Sequence, residues 1–135
     1  MLDINQKFNL ALKARENSYS PYSHFKVGAL AILKDGNYVL GTNVENMSYG
    51  LTICAERSAI FSLISLGYNP KDICEFVIIA DSEKPVSPCG ACRQVLAEFL
   101  SPDCDITLFN IKKDYVVFKL KDLLPYAFDK GDLDE

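Results

Sequence analysis

Two short stretches of this chain have to meet: Cys54-Ala55-Glu56-Arg57 and Pro88-Cys89-Gly90-Ala91-Cys92-Arg93-Gln94. A Cys-x-x-Cys on the first turn of a helix can aim both sulfurs at one ion, and Cys54 can supply a third from the other segment. Three thiols leave a tetrahedral ion one position short of closure. That vacancy separates a hydrolytic zinc from a structural one, since closed sites use four protein ligands and hydrolytic sites keep a place for water. Glu56, two residues past the first ligand and at a helix start, is close enough to handle the protons of such a water without being a ligand.

The rest of the composition narrows what that site can serve. With 135 residues and 49% apolar content, the chain reads as a single domain over 1–135, able to bury a core without disulfide staples. A formal charge of −4 argues against a polyanionic partner and leaves a small, neutral substrate as the easier guest. Met1 to Lys7 has neither the basic start nor the apolar run of a secretion signal, and nowhere do eighteen apolar residues run together. The expectation is a cytoplasmic protein with no membrane partner. Five cysteines is an odd number, and clustered cysteines in a reducing compartment read as ligands rather than disulfide partners. Cys74 and Cys104 have no partner at ligand spacing and read as small buried hydrophobes.

The pattern of Ile4, Phe8, Ala11, Leu12 and Ala14 predicts a helix from Leu2 to about Asn17, with Asp3 placed to cap it. Ser20-Pro21-Tyr22-Ser23 breaks the period, and Phe25–Leu33 follows as a strand. Asp35-Gly36 marks a hairpin turn, so Tyr38–Asn43 returns antiparallel. After a polar loop containing Gly50, a second helix runs from Cys54 to about Leu66 and stops at Gly67. Its apolar residues, Ile64 and Leu66 among them, cover most of its circumference and predict a buried helix. Glu75–Ala80 reads as a strand covered on both faces. Pro88 opens a third helix that ends at Ser101-Pro102. Ile106–Phe109 and Tyr115–Phe118 are too closely linked to be parallel and form a second hairpin. Leu120–Leu124 is a helical turn stopped by Pro125, and 129–135 is a polar, frayed tail. The order predicts a mixed α/β layer fold in which both ligand stretches begin helices, where the partial positive charge of a helix N-terminus favours thiolates. Three thiolates on a divalent ion carry one net negative charge; Arg57 or, second in order, Arg93 can offset it by donating to sulfur.

Cys54-Ala55-Glu56 followed by Pro88-Cys89-Gly90-Ala91-Cys92 matches the three-Cys variant of the zinc nucleobase deaminase signature. With Phe25-Lys26-Val27-Gly28-Ala29, Asn43-Val44-Glu45-Asn46 and Leu123-Leu124-Pro125 added, the chain closely resembles the small homotetrameric cytidine deaminases from about Tyr19 to Phe128. The resemblance implies a three-layer α/β/α fold with a five-stranded mixed sheet flanked by helices. It implies one zinc per chain on Cys54, Cys89 and Cys92, four chains per assembly with active sites completed across subunits, and a role in pyrimidine salvage. The implied reaction is hydrolysis of cytidine or deoxycytidine to uridine or deoxyuridine with release of ammonia, Glu56 moving the protons. Backbone at Ala55 and at Ser87-Pro88-Cys89 holds the base edge in relatives. Asn43 and Glu45, two apart in an extended segment, read the 3′ side of the sugar, and Phe25 packs on the pyrimidine. Tyr49 and Phe128 match positions that relatives present from neighbouring subunits.

Two rivals keep the same scaffold: a deaminase of another small cytosine nucleoside such as blasticidin S, and a non-catalytic zinc module. Nothing basic lines up to track the phosphates of RNA or DNA. His24, the one histidine, reads as structural, and Tyr19 to Tyr22 as a packed turn rather than a base-stacking platform.

Overall fold

The computed structural model describes residues 2–129, 131 and 133. Helix α1 (Ile4–Glu16) starts where Asp3 accepts from the Gln6 backbone while the Gln6 side chain accepts from the Asp3 N–H, a reciprocal cap. Strands β1 (Val27–Leu33) and β2 (Tyr38–Thr42) form the first hairpin around Gly36, whose φ of 92° is one that L side chains rarely adopt. Helix α2 (Ala55–Ser65) stops at Gly67, also at φ 92°. Then come β3 (Ile73–Ala80), α3 (Gly90–Phe99), the hairpin β4 (Asp105–Asn110) and β5 (Tyr115–Lys119), and the short α4 (Leu120–Leu123).

The five strands form one mixed sheet in the order β2-β1-β3-β4-β5, antiparallel throughout except for the parallel pair β3 and β4, which α3 connects. Alternation along the central strands feeds two cores. Leu30, Ile32, Val77, Ile79 and Phe109 meet α1 on one face; Leu33, Phe76, Ile78, Ile106 and Leu108 meet Ile60 and Leu63 of α2 and Leu96 of α3 on the other. Each fully buried side chain of this size contributes about 1.5–3 kcal/mol. This is the three-layer arrangement expected from the sequence.

Two glycines bring helix backbones onto the sheet. A Cβ on Gly28 would lie 2.3 Å from the Ala11 carbonyl oxygen of α1, and one on Gly41 would lie 2.3 Å from the Ala59 nitrogen and 2.6 Å from the Ala55 oxygen of α2. The second contact fixes the start of α2 relative to the end of β2. Register does the remaining gathering: Val27 pairs with Ala80 and Gly28 with Thr42, so the entrance to β1 and the exits from β2 and β3 share one end of the sheet. Segments 20–26, 43–54 and 81–89 all leave from that end.

Three expectations need correction. Strand β1 begins at Val27, which leaves Phe25 in the preceding loop, because Asn43 rather than a strand partner takes the Val27 N–H. Helix α2 is not buried all round: Phe61, Ile64 and Leu66 are exposed, since the sheet covers only the face of Ala55, Ala59, Ile60 and Leu63. Helix α3 begins at Gly90 with Cys89 as its N-cap, so Pro88 precedes the helix rather than opening it. The expected tail over 129–135 falls largely outside the described residues. Among those residues, no helix is long and apolar enough to cross a membrane.

Candidate active site

Cys54 is the N-cap of α2 and Cys89 the N-cap of α3, so each thiol sits where free backbone N–H groups cluster. The Cys89 sulfur accepts from the Cys92 N–H at 3.5 Å and lies 3.9 Å from the Cys54 sulfur; all three sulfurs are within 4.8 Å of one another. Cys92 is buried, Cys54 half-buried and Cys89 exposed. Hydrogen bonding with Cys92, helped by Arg57 and opposed by burial, pulls the Cys54 pKa down to about 5, while the same bond pushes Cys92 up. Arg57 donates to the Cys54 sulfur at 3.5 Å.

This donor set fits zinc. Zinc–sulfur bonds of about 2.3 Å at a tetrahedral angle put sulfurs about 3.8 Å apart, close to the spacing of Cys54 and Cys89. Three soft donors and no oxygen ligand among them exclude a calcium- or magnesium-type site.

Glu56 follows Cys54 into the first turn of α2 and is buried, with 5% of its surface exposed. Burial pushes its carboxyl above the ordinary carboxylate range, and charge on Cys54 adds to the push. A carboxyl so placed can hold and release a proton nearer neutrality than a solvated one.

Cys54, Cys89 and Glu56 open onto a cleft of ≈ 300 Å³ whose walls include Phe25, Asn43, Glu45, Tyr49, Thr52, Ala55, Ile78, Val86 and Ser87. A volume of this order suits a small molecule rather than a polymer. A larger hollow of ≈ 630 Å³ lies between Leu100, Leu120 and Pro125, but it holds none of the thiols. Chemistry therefore picks the smaller one.

Asn43 and Glu45 are both buried, and their polar atoms are already at work on the chain between Ser18 and Val27. Asn43 accepts from the Val27 N–H and the Ser18 hydroxyl and donates to the Phe25 carbonyl at 2.8 Å. Glu45 accepts from the N–H groups of Tyr22 and Ser23, each at 3.1 Å, and from the Ser23 hydroxyl, which in turn accepts from the Phe25 N–H. Burial alone would raise the Glu45 pKa; the bonds from Ser23 and Tyr22 outweigh it and hold the group below its ordinary value. These two side chains thus pin the loop that carries Phe25 to the cleft.

Phe25, Asn43, Glu45, Tyr49, Ala55, Glu56 and two of the three thiols line one cleft. Tyr49 does so from its own chain, on a turn of 3₁₀ helix. Phe128 does not: 58% exposed, it borders a separate hollow with Lys71 and Glu98, its carbonyl accepting from the Gln94 side chain at 2.9 Å. Cys74 and Cys104 lie outside the thiol cluster; burial pushes Cys104 up to about 12. His24, at φ 60°, is exposed. Sequence reasoning missed Ser18 and Ser23, and the one signal it had was a run of small hydroxyl residues around Pro21.

A profile of the family described as "Cytidine and deoxycytidylate deaminase zinc-binding region" matches residues 2–107. The chain is 46% identical over 134 residues to the cytidine deaminase of Halalkalibacterium halodurans, a match spanning 99% of this chain and 100% of that one. It is 44% identical to the cytidine deaminase of Sporosarcina psychrophila, over 98% of this chain and 96% of the other. The crystal structure of cytidine deaminase from Burkholderia pseudomallei superposes with a TM-score of 0.91 at 43% identity, covering 94% of this chain and 100% of that one.

Proposed function

This chain belongs to the cytidine and deoxycytidylate deaminase family, and from that membership we propose that it hydrolyses cytidine and deoxycytidine to the uridine products, releasing ammonia. The observation that carries the reading is a cluster of three thiols, two of which line a cleft of small-molecule size together with a buried acid. Cys54, Cys89 and Cys92 hold one zinc. Zinc in such a site supplies Lewis acidity, lowering the pKa of a water and offsetting negative charge that develops on oxygen.

Glu56 takes the two protons of the attacking water in turn, passing the first to N3 of the base and the second, from the oxygen added at C4, to the amine as the C4–N bond breaks, so one water enters and one ammonia leaves. General acid/base work of this kind contributes roughly two to four powers of ten in rate. Its raised pKa suits a group that must both accept and give. Arg57, on the Cys54 sulfur, offsets part of the thiolate charge. Backbone at Ala55 and Ser87-Pro88-Cys89 holds the base edge. Phe25 packs on the ring, and Asn43 and Glu45 present their remaining capacity to the ribose hydroxyls while pinning the loop behind Phe25.

We further propose a homotetramer whose sites are completed across subunits. Its support is the number of large apolar side chains left exposed, Met47, Leu51, Phe61, Ile64 and Leu66 among them, and the position of Phe128 away from its own chain's cleft. A cytoplasmic location accords with five unpaired cysteines, and a part in pyrimidine salvage follows from the proposed reaction. The deciding experiment pairs a zinc assay with the absorbance change as cytidine becomes uridine. About one zinc per chain and turnover of cytidine and deoxycytidine well above that of CMP or blasticidin S are expected. Zinc without turnover of any nucleoside would reduce the protein to an inert zinc module.

A further inference from the structure

We propose that Arg93 is a positioning residue that clamps the turn Ser87-Pro88-Cys89, and with it the exposed thiol of the site, to the core-anchored end of α4. Arg93 follows Cys92 in α3, yet its guanidinium reaches backward and sideways. Nε donates to the Pro88 carbonyl at 2.7 Å, and the two terminal nitrogens donate to the Ser87 hydroxyl and the Leu123 carbonyl. Two of these acceptors lie on the turn that delivers Cys89. The third closes α4, whose Leu120 and Leu123 are buried in the larger core.

The turn needs such a fastening. Among the described residues, 82–88 make no backbone-to-backbone hydrogen bond outside the regular elements, so side chains hold the segment: Asn110 on the Glu83 carbonyl at 3.0 Å, and Arg93 on Pro88. A planar guanidinium can serve three acceptors in fixed directions at once; a lysine ammonium cannot reproduce that fork. Bonds from a charged donor are roughly twice as strong as neutral ones, which suits a half-buried cation with three neutral acceptors. The neighbouring Gln94 makes a similar reach but, among the described residues, donates to the Phe128 carbonyl and not to the turn.

The consequence for the metal rests on the functional reading above; the clamp itself does not. The test uses the full chain with Arg93→Lys, Arg93→Met, Ser87→Ala and, as comparison, Gln94→Ala. Zinc release into a chromophoric chelator is expected to quicken roughly 10- to 100-fold in the two Arg93 variants, the usual effect of losing a partner that orients a ligand. Ser87→Ala should quicken it less and Gln94→Ala not at all. Amide exchange reads the same clamp with or without metal: faster exchange at 82–89 with parental exchange in β1 and β3 is expected. Parental exchange and parental release in whichever Arg93 or Ser87 variants fold would overturn the proposal. So would equal acceleration in Gln94→Ala. A parent protein that takes up no zinc would sink the functional reading, and exchange at 82–89 would still decide for or against Arg93.

Discussion

The start of α2 and the turn before α3 deliver thiols to the same spot by different means. At α2 the backbone is wedged onto β2 where Gly41 leaves no side chain, and Ala55 and Ala59 are fully buried against it. Cys54 and Glu56 are thereby set by the packing of the whole domain. Before α3, an irregular segment carries the exposed Cys89 and is held by side chains, chiefly Arg93. Local openings cost less where few buried contacts resist them. The comparison teaches that metal should be lost from the Cys89 side, at a rate independent of global stability.

The largest effect tests the chemistry while leaving both halves alone. Glu56→Gln should retain about one zinc per chain and lose roughly two to four powers of ten in kcat; turnover within tenfold of the parent would remove Glu56 from the proton path. Next comes a pair that breaks the packed half selectively. Gly41→Ala and Gly28→Ala each force a Cβ to within 2.3 Å of helix backbone, on opposite faces of the sheet. Both should cost about 2–3 kcal/mol, a fall of roughly 10 °C in thermal midpoint. Only Gly41→Ala should also weaken zinc binding, because of the two helices touched α2 starts at a ligand and α1 carries none; equal weakening by both would undo the distinction between local placement and global stability.

A smaller change sharpens the picture of the cleft wall. Ser23→Ala removes a hydroxyl that joins Glu45 to the Phe25 N–H, and the loss of about 1 kcal/mol should raise KM for cytidine roughly fivefold with kcat within about twofold. A drop in kcat with KM unchanged would contradict the role given to that loop. The smallest effect is on the Glu45 titration itself. Its pKa in the folded chain lies below the ordinary 4.5, so the pinning it provides is complete above that value and is lost as pH falls through the lowered one. Carboxyl NMR should show the lowered value in the parent and a shift back toward the ordinary one in Ser23→Ala. A Glu45 that titrates normally in both would mean that the loop is not held this way.

Much of the frame was legible along the chain. Asp3, Gly67 and the Asp35-Gly36 turn announce themselves through local rules, because caps and tight turns are settled by a few adjacent residues. The strand order was not legible from periodicity, and neither was the exposed face of α2, where Phe61, Ile64 and Leu66 look the same in sequence as the buried Ile60 and Leu63. Periodicity says which side chains share a stripe, and only the neighbouring layer says how much of that stripe it covers.

At the site the division is similar. Residue type and spacing determined that Cys54, Cys89 and Cys92 form a sulfur-rich set with an acid beside it, since ligand chemistry depends on atoms that the sequence names outright. What Asn43, Glu45 and Arg93 do to the backbone around them was decided by tertiary structure alone. Their partners lie at Ser18 to Val27 and at Leu123, and a side chain's reach across the fold follows from which loops the register of the sheet brings to the same end.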